Sequence, residues 1–378
     1  MLLRQFYPRT GGYQNQAMRL AGEMLKRNIP VYVVTQQHGT LSPYEVYQQI
    51  PIHRVFTFRS GYLASSSYLI SSFLWMARNR HKFSIIHANR SSSGLVAGLI
   101  GLFLHKKVLY KLTREDEIDE KGFRTTWLGR LKIQCLKWTV DQFVAITDEI
   151  AQALIQIGIP ARKVVRIANG IPLENFSGAY DRKQIKAELG WGTETVIVTF
   201  VGRLVYDKGV DWLLEVWQHV ARRHEHARLL IVGDGPERGA LEDLVGTLHI
   251  RSTVLFVGRQ TDVFKFLAIS GVFVLPSRRE GTSNALLEAM SQGVPVVVAD
   301  DCLGGNRGVV KGRQDGYVIT FGDSEVLTET LGQLLEDAEL RREMGQRARQ
   351  KVEEKFSIQS VADRYCELYS QLLGTQIQ

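Results

Sequence analysis

Short apolar runs alternate along this chain with longer segments in which apolar residues recur every three or four positions. Runs of the first kind are typical of buried strands, and segments of the second kind are typical of amphipathic helices. Their alternation predicts βα units arranged as parallel sheets. The pattern occurs in two series, one in each half of the chain. The predicted strands are residues 31–35, 52–58, 83–88, 108–112 and 142–146 in the first series, and residues 195–201, 228–232, 253–257, 271–275, 294–299 and 317–319 in the second.

The two series predict an α/β protein with two doubly wound, Rossmann-like domains, each large enough to bury its own core. A turn-forming segment closes the first series at Pro172, and the linker is expected near residues 173–181. We therefore expect one domain over residues 1–172, a second over residues 173–356, and a final helix over residues 357–378.

Helical periodicity predicts amphipathic helices over residues 15–26 and 128–140. Two further segments, 68–77 and 94–104, are almost wholly apolar. Both are shorter than the ~20 residues that a membrane-spanning helix needs, so they predict buried helices.

The N-terminal run MLLRQF is shorter than expected for the first strand of such a domain. Either that strand is short, or the chain as given begins late. The segment lacks the apolar core and cleavage site of a secretory signal.

The three cysteines, Cys135, Cys302 and Cys366, are scattered and show no metal-ligand spacing. A cytoplasmic protein without a disulfide framework or structural zinc is expected.

The apolar fraction of 44% and the charged fraction of 23% are typical of a soluble globular protein. The net charge of +8 is unevenly distributed, since residues 1–172 carry +13 and the remaining residues carry −5. The first half is therefore expected to meet an anionic partner, unless its basic surface has no partner. Residues 124–137, with Trp127 inside the segment and Trp138 directly after it, form a basic amphipathic segment that either lies on anionic lipid or is an ordinary surface helix.

The most informative segment lies between the apolar runs 272–276 and 294–298. It places Glu280 in a turn after a predicted strand, and Glu288 eight positions later in a predicted helix. Such a turn lies at the carboxyl end of a parallel sheet, where ligands bind in doubly wound folds. Carboxylates at this spacing also occur on solvated helix faces, but the glycine at 281 favours a turn at Glu280.

A second candidate is the loop GRLVYDKG, which follows the predicted strand 195–201. Gly202 and Gly209 give its backbone freedom, and Arg203 and Lys208 are cations that could stabilise negative charge on a ligand without a metal. In the alternative interpretation, Arg203 pairs with a structural carboxylate and Lys208 is solvated. No Asp-x-Asp motif ends a predicted strand, and the acidic run 115–120 is expected to be a solvated loop.

Several segments resemble, in the same order, the motifs of the family 4 glycosyltransferases, which are retaining enzymes of the GT-B fold. They are TGGYQNQAMRLAGEMLKRNIPVYVVT, IIHAN, VRIANGIPLENF, VGRLVYDKGVDWLLE, LLIVGDGPER, VLFVGRQTDV and PSRREGTSNALLEAMSQGVPVV. This resemblance covers nearly the whole chain. It implies a GT-B fold, with two Rossmann-like domains facing each other across a cleft and a C-terminal helix that crosses back to the first.

The resemblance also implies roles for individual residues. Glu280 would contact sugar hydroxyls and Glu288 the ribose, while Arg203 and Lys208 would stabilise the leaving diphosphate. The family's histidine aligns either with His87 or with Asn89. The remaining residues implied to bind the donor are Gly11, Gly12, Gly202, Arg259, Gly281, Thr282, Ser283 and Asn284.

The function implied is transfer of a hexose or related sugar from a UDP- or GDP-sugar to a hydroxyl acceptor, in surface polysaccharide or glycolipid assembly. No cofactor, metal or nucleic acid is expected, and the acceptor is expected to be a sugar or a lipid-linked sugar at the inner membrane face. Two alternatives stay open: another GT-B enzyme, such as a nucleotide-sugar epimerase or a phosphorylase, and a non-catalytic sugar-nucleotide-binding protein.

Overall fold

The computed structural model describes residues 1–8, 11–58, 61–89, 91–113, 126–173, 180–300 and 308–376. The chain forms two compact units. Unit 1 consists of Met1–Pro172 together with Ile358–Gln378, and unit 2 consists of Leu173–Ser357. The C-terminal helix therefore belongs to unit 1.

Thirteen helices occur in the described ranges. In chain order they are α1 (Gly12–Lys26), α2 (Gly61–Arg78), α3 (Ser91–Leu104), α4 (Trp127–Thr139), α5 (Asp148–Gln156), α6 (Arg182–Glu188), α7 (Val210–Arg223), α8 (Arg238–Thr247), α9 (Phe264–Leu267), α10 (Asn284–Ser291), α11 (Ser324–Glu336), α12 (Ala338–Lys355) and α13 (Ile358–Leu373). Polar side chains cap several of them, as expected from the preference of Asp and Thr for this position. Thr147 Oγ1 accepts a hydrogen bond from an amide of α5, and Asp181, Asp323 and Asp337 do the same for α6, α11 and α12.

Unit 1 is built on parallel strands with one antiparallel addition. Its strands are β1 (Val33–Gln36), β2 (Tyr44–Tyr47), β3 (Ile50–Val55), β4 (Ile85–Asn89), β5 (Lys107–Leu112), β6 (Gln142–Ala145) and β7 (Val164–Arg166). They pair in the orders β1-β3-β2 and β4-β5-β6-β7, and only the β2–β3 pair is antiparallel. The sequence did not predict β2, because its residues are exposed or half-buried and lack an apolar run.

Leu2 joins these two groups of strands, forming parallel bridges to Val34 on β1 and Ala88 on β4. Its amide donates to the carbonyl of His87 at 2.8 Å, and its carbonyl accepts from the amide of Asn89 at 3.2 Å. The strand expected in the N-terminal run is therefore short, since isolated bridges at one residue take its place.

Helices cover both faces of the unit 1 strands. On one face, α1 and α13 enclose a core that includes Leu20, Met24 and Tyr365. On the other face, α2, α3, α4 and α5 enclose a second core that includes Tyr68 and Ile100. Alternating side chains along each strand supply both cores, which is the arrangement of a doubly wound sheet.

The helices expected over residues 68–77 and 94–104 form as α2 and α3. The expectation that they are buried holds for the side of each helix that faces the strands and is wrong for the outer side. Ile70 and Leu74 on α2, and Leu102 and Phe103 on α3, are between 57% and 68% exposed. An apolar composition does not show how many layers cover a helix, and here only the side that faces the strands is covered. Within the described ranges, no helix has both the length and the apolar character needed to cross a membrane.

Unit 2 contains a single sheet of six parallel strands. They are β8 (Val196–Val201), β9 (Ala227–Val232), β10 (Val254–Gly258), β11 (Val272–Leu275), β12 (Val296–Asp300) and β13 (Gly316–Thr320). Their order is β10-β9-β8-β11-β12-β13, so the direction of winding reverses between β8 and β11. All six correspond to strands predicted from the apolar runs, and the reversal defines a topological switch point.

Candidate active site

The candidate residues of unit 2 gather where the carboxyl ends of β8 and β11 meet. Gly202 and Arg203 follow β8 directly, and the loop after β11 carries Ser277 and Glu280. β8 and β11 are neighbours in the sheet, with Val272 opposite Val198. The switch point of an open parallel sheet is where ligands bind in this class of fold, so the position predicted for Glu280 relative to the sheet is confirmed.

Two glycines allow the loops around this point to approach each other closely. Gly209 has a φ of +64°, and a Cβ atom there would lie 2.0 Å from the carbonyl oxygen of Pro276. Gly233 has a φ of +150°, and a Cβ atom there would lie 1.8 Å from the carbonyl oxygen of Gly202. Both positions therefore exclude any larger residue, and they bring the loops after β9 and β11 against the loop after β8.

Lys208 and Glu280 form an ion pair between the loops that follow β8 and β11, with Lys208 Nζ donating to Glu280 Oε2. The side chains are 20% and 17% exposed, so the pair is largely shielded from water. Ser277 Oγ lies 3.5 Å from the same carboxylate oxygen. The alternative in which Lys208 is simply solvated is therefore wrong: the structure brings one predicted cation into contact with one predicted carboxylate.

Arg203 lies at the surface, directly after β8. Its side chain is exposed, and it forms no hydrogen bond or ion pair with any residue that the structure describes. The alternative in which Arg203 pairs with a structural carboxylate is therefore not observed. A guanidinium in this position can bind an incoming anion through several donors at once.

Helix α10 carries the other half of the site. It begins at Asn284, with Ser283 at the N-cap position, and Glu288 lies in its second turn with only 7% of its surface exposed. Thr282 and Ser283 are buried, and Gly281 is half-buried. The motif thus places Glu280 in the loop and Glu288 on the helix, as predicted. The amides of the first turn of α10 point towards the loop that precedes the helix.

Arg259 is exposed and directly follows Gly258, the last residue of β10. Because β10 is the edge strand and β9 separates it from β8, Arg259 lies along the same carboxyl edge of the sheet. Its assignment to the nucleotide base stays a prediction.

The candidates in unit 1 lie at strand and helix ends of that unit. Gly11 is the N-cap of α1, with an extended backbone and no side-chain cap, and Gly12 is the first residue of the helix. His87 is only 3% exposed and lies on β4 beneath α13, where its Nδ1 is 2.8 Å from the hydroxyl of Tyr369. Its burial lowers the pKa of the imidazole well below its usual range, so the ring is neutral at pH 7. A role for His87 in catalysis stays a prediction.

Lys111, which the sequence analysis did not select, and Asn89, the alternative position of the family's histidine, are buried near His87. Lys111, on β5, is 4% exposed, and its ammonium donates to Asn169 Oδ1 at 3.2 Å. Burial lowers its pKa to about 8. The Nδ2 atom of Asn89 is buried and has no hydrogen-bond partner among the residues described. The sequence feature that could have identified Lys111 is its place inside the apolar run VLYKL, because a lysine in a buried strand is unusual.

Arg278 was also missed. It lies within the Pro-Ser-Arg-Arg loop after β11, and it forms two hydrogen bonds of 2.7 Å with the carboxylate of Asp211. The sequence could not distinguish it from its neighbour Arg279, which is exposed.

The acidic run 115–120 lies outside the described residues. So does the sequence Gly304-Gly305-Asn306, which resembles the Gly-Gly turn beside the pyrophosphate in family 4 glycosyltransferases. Within the ranges that the structure describes, no three His, Cys, Asp or Glu side chains are arranged to hold a metal ion.

Two family models match the chain. The model described as Glycosyl transferases group 1 matches residues 181–351, and the model described as Glycosyltransferase Family 4 matches residues 10–175. The N-acetyl-alpha-D-glucosaminyl L-malate synthase of Bacillus anthracis is 31% identical over 233 residues, which are 62% of this chain and 60% of that protein. The UDP-Gal:alpha-D-GlcNAc-diphosphoundecaprenol alpha-1,3-galactosyltransferase of Escherichia coli is 26% identical over 307 residues, or 78% of this chain and 77% of that protein.

Among solved structures, HepE of Anabaena, crystallised with UDP and glucose, superposes with a TM-score of 0.81 over 98% of both chains at 19% sequence identity. At that identity the likeness shows the fold, which is GT-B. The two family matches fall on unit 1 and unit 2 and together cover most of the sequence. The chain therefore belongs to the family 4 glycosyltransferases.

Proposed function

We propose that this enzyme transfers a hexose or related sugar from a UDP- or GDP-sugar to a hydroxyl acceptor, with retention of the anomeric configuration and without a metal ion. The observation that carries the proposal is the ion pair of Lys208 with Glu280 at the switch point of unit 2, together with the exposed Arg203 directly after β8. These residues combine cations for a diphosphate with a carboxylate for sugar hydroxyls.

The charges in this group suit the separation of a sugar from a nucleoside diphosphate. Negative charge develops on the diphosphate as the glycosidic bond breaks, and we assign its stabilisation to Arg203 and Lys208. Positioned cations of this kind act most strongly where water is excluded. Glu280 can accept hydrogen bonds from two sugar hydroxyls, and the buried Glu288 is proposed to bind the ribose. Support for a uridine donor comes from HepE, which was crystallised with UDP and glucose.

A panel of nucleotide sugars tests the donor assignment. We expect UDP- or GDP-sugars to raise the melting temperature, and the stabilising donor to be consumed only when a hydroxyl acceptor is present. Nuclear magnetic resonance of the product then gives the anomeric configuration. An inverted product would contradict retention. Release of an isomerised sugar, or consumption of phosphate, would identify an epimerase or a phosphorylase instead.

We further propose that the acceptor is lipid-linked and that unit 1 binds an anionic membrane surface. The relative from Escherichia coli is named for an acceptor with a diphosphoundecaprenol anchor. Unit 1 also accounts for the net positive charge of the chain, since residues 1–172 hold +13 and the remaining residues hold −5. An enzyme that glycosylates such an acceptor would work at the surface of a bilayer.

Three helices of unit 1 supply an apolar face for this contact. On α4, Trp127, Leu131 and Trp138 recur at helical spacing along one side and are 70%, 55% and 85% exposed. Helix α2 exposes Leu63, Ile70 and Leu74 in the same manner, and α3 exposes Leu102 and Phe103. All three helices cover the same face of the strands, and α3 packs against both of the others. Their outer sides therefore share one surface, which we call the apolar face.

Basic residues accompany the apolar face, because Arg130 and Lys132 are exposed on α4 between the tryptophans. Each basic residue near an anionic surface contributes about 1 kcal/mol to binding, and apolar side chains add to this by entering the interfacial region. The contact should weaken with salt, because the Debye length falls to ~3 Å at 1 M.

Sedimentation with vesicles tests the contact. We expect the protein to bind vesicles that contain phosphatidylglycerol at low salt, and to bind less at 1 M salt or to vesicles of phosphatidylcholine alone. Trp138→Ser should reduce binding, whereas Tyr44→Ser, which removes an exposed aromatic ring on β2, should not. Equal binding by the wild type to both vesicle types, or to neither, would favour a soluble acceptor.

A further inference from the structure

The turn that carries Lys208 is held in place by a neighbouring loop of unit 2. Residues Tyr206–Lys208 form one short 3₁₀ turn after β8. The carbonyl oxygen of Asp207, in the middle of the turn, accepts hydrogen bonds from the amides of Arg278 and Arg279 at 2.8 and 3.3 Å. The loop that carries Glu280 therefore supports the Lys208 turn through its backbone.

The side chain of Arg278 adds a second connection. Its two terminal nitrogens each donate to one carboxylate oxygen of Asp211, at 2.7 Å, and Nη1 also donates to the carbonyl oxygen of Tyr206 at 2.8 Å. Asp211 lies in the first turn of α7, directly after the Lys208 turn. One guanidinium thus binds the start of the turn and the helix that follows it.

Aromatic rings enclose this guanidinium. Its central carbon lies 4.1 Å from the centroid of the Tyr206 ring and 4.9 Å from that of Phe321. Phe321 follows β13 and packs on Trp212 of α7, with their ring centroids 4.6 Å apart. Arg278 is 19% exposed as a result. A planar guanidinium can stack and form two parallel hydrogen bonds at once, which a lysine cannot do.

The charges at this position reinforce the contact. Burial alone would raise the pKa of Asp211, but the hydrogen bonds and charge of Arg278, together with backbone hydrogen bonds from Asp211 and Trp212, lower the pKa. The pair is therefore ionised throughout the neutral range. Arg278 and Glu280 are two residues apart on one loop. Loss of the contacts of Arg278 would therefore let the Lys208 turn move relative to Glu280.

We infer that Arg278 is a positioning residue, which holds Lys208 where it can bind the donor diphosphate by clamping the Tyr206–Lys208 turn between Asp211 and the loop after β11. The inference rests on the proposed function, because it assigns Lys208 to the diphosphate. The terminal nitrogens of Arg278 donate to Asp211 and to the carbonyl oxygen of Tyr206. We therefore expect Arg278 to affect nucleotide binding through the position of Lys208 and without a contact of its own.

A double-mutant cycle measures this dependence. We expect Arg278→Gln to weaken UDP binding, measured by isothermal titration calorimetry, by about tenfold in the wild-type background, a coupling within the usual range for residues that act through each other. In a Lys208→Met background the same substitution should change the affinity by less than about twofold. Arg278→Lys should weaken binding as well, since a single ammonium cannot replace the two parallel hydrogen bonds.

Arg342→Gln is the matched control, because Arg342 forms an exposed ion pair with Glu339 on α12 of the same unit. It should leave UDP affinity unchanged. Asp211→Asn supplies a second test from the other side of the clamp and should reproduce the loss, which keeps the inference testable if Arg278→Gln folds poorly.

The outcomes separate the inference from the proposed function. If neither UDP nor GDP binds the wild type, the proposed function fails. If UDP binds and Lys208→Met weakens it, but Arg278→Gln and Asp211→Asn do not, the inference is overturned while the proposed function stands. Equal losses from Arg278→Gln in both backgrounds would also overturn the inference, because Arg278 would then act independently of Lys208.

Discussion

Replacing Glu280 by glutamine should separate nucleotide binding from sugar transfer. In the structure Lys208 donates to Glu280, so the cation proposed for the diphosphate is already paired with a carboxylate. UDP lacks the transferred sugar whose hydroxyls Glu280 is proposed to bind, so it gains nothing from this carboxylate. Its diphosphate must share Lys208 with that carboxylate or displace it. Glu280→Gln removes the competing charge and keeps nearly the same shape.

The size of the effect follows from the burial of the pair. Two unit charges 4 Å apart attract by about 4 kcal/mol at an effective dielectric constant of 20, and by about 1 kcal/mol in water. With about four-fifths of each side chain covered, the pair lies between these limits, and most of the attraction offsets the cost of removing the charges from water. We expect UDP to bind up to about tenfold more tightly to Glu280→Gln, which corresponds to about 1.4 kcal/mol.

Turnover should change in the opposite direction. An amide can accept only part of the hydrogen bonding that a carboxylate offers to sugar hydroxyls, so kcat should fall by roughly 10²-fold. Calorimetry gives the UDP affinity and initial rates give kcat, while the melting temperature should stay close to that of the wild type. Glu339→Gln, which removes the exposed partner of Arg342, controls for the loss of one negative charge.

The decisive comparison is between Glu280→Gln and the double variant with Lys208→Met. If the gain in UDP affinity comes from releasing Lys208, it disappears when Lys208 is absent. Weaker UDP binding by Glu280→Gln with an unchanged melting temperature would refute the reasoning, because Glu280 would then hold Lys208 in its binding position instead of competing for it.

Three further results are expected. UDP or GDP should bind equally well with magnesium and with excess chelator, because Arg203 and Lys208 supply the positive charge; calorimetry under both conditions checks this, and binding lost in chelator would contradict it. Burial lowers the pKa of Lys111 to about 8, so between that pH and the ordinary value of 10.5 the unfolded chain keeps a proton that the folded protein has released. Stability should therefore rise with pH across this window by at most about 1.4 kcal/mol per pH unit, and this rise should be absent from thermal melts of Lys111→Met. Gly209→Ala should destabilise unit 2 by more than about 2 kcal/mol in urea unfolding, because its φ is +64° and Pro276 blocks the Cβ position, whereas Gly190→Ala, with open space at a φ of +74°, should cost only about 1 kcal/mol.

Much of the fold could be predicted from the order of apolar runs. The strands of unit 2 lie within two residues of the predicted bounds, because a parallel strand covered on both faces is a continuous apolar run. The switch point follows from the same alternation and the motif order, so the positions of Glu280 and Arg203 at strand ends were predictable. Strand β2 was not, since a half-exposed hairpin strand has no such run.

The contacts within the site could not be predicted, because they depend on how loops far apart in the sequence meet. Lys208 and Glu280 are 72 positions apart, and Arg278 and Asp211 are 67 positions apart. The partner of His87, Tyr369, is 282 positions away. Residue types identified the candidate charges, but only the loop geometry shows which charges are paired.

The division of unit 1 between the two ends of the chain has a consequence for its synthesis. The ribosome completes residues 1–172 and must then make all of residues 173–357 before α13 emerges. At 5–20 residues per second this takes about 10–40 s. During that interval the core around Met24 and Leu109 lacks the helix that covers it. Unit 2 is continuous and can fold in the meantime. It is therefore expected to reach its native state first, while unit 1 stays accessible to chaperones until its last helix docks.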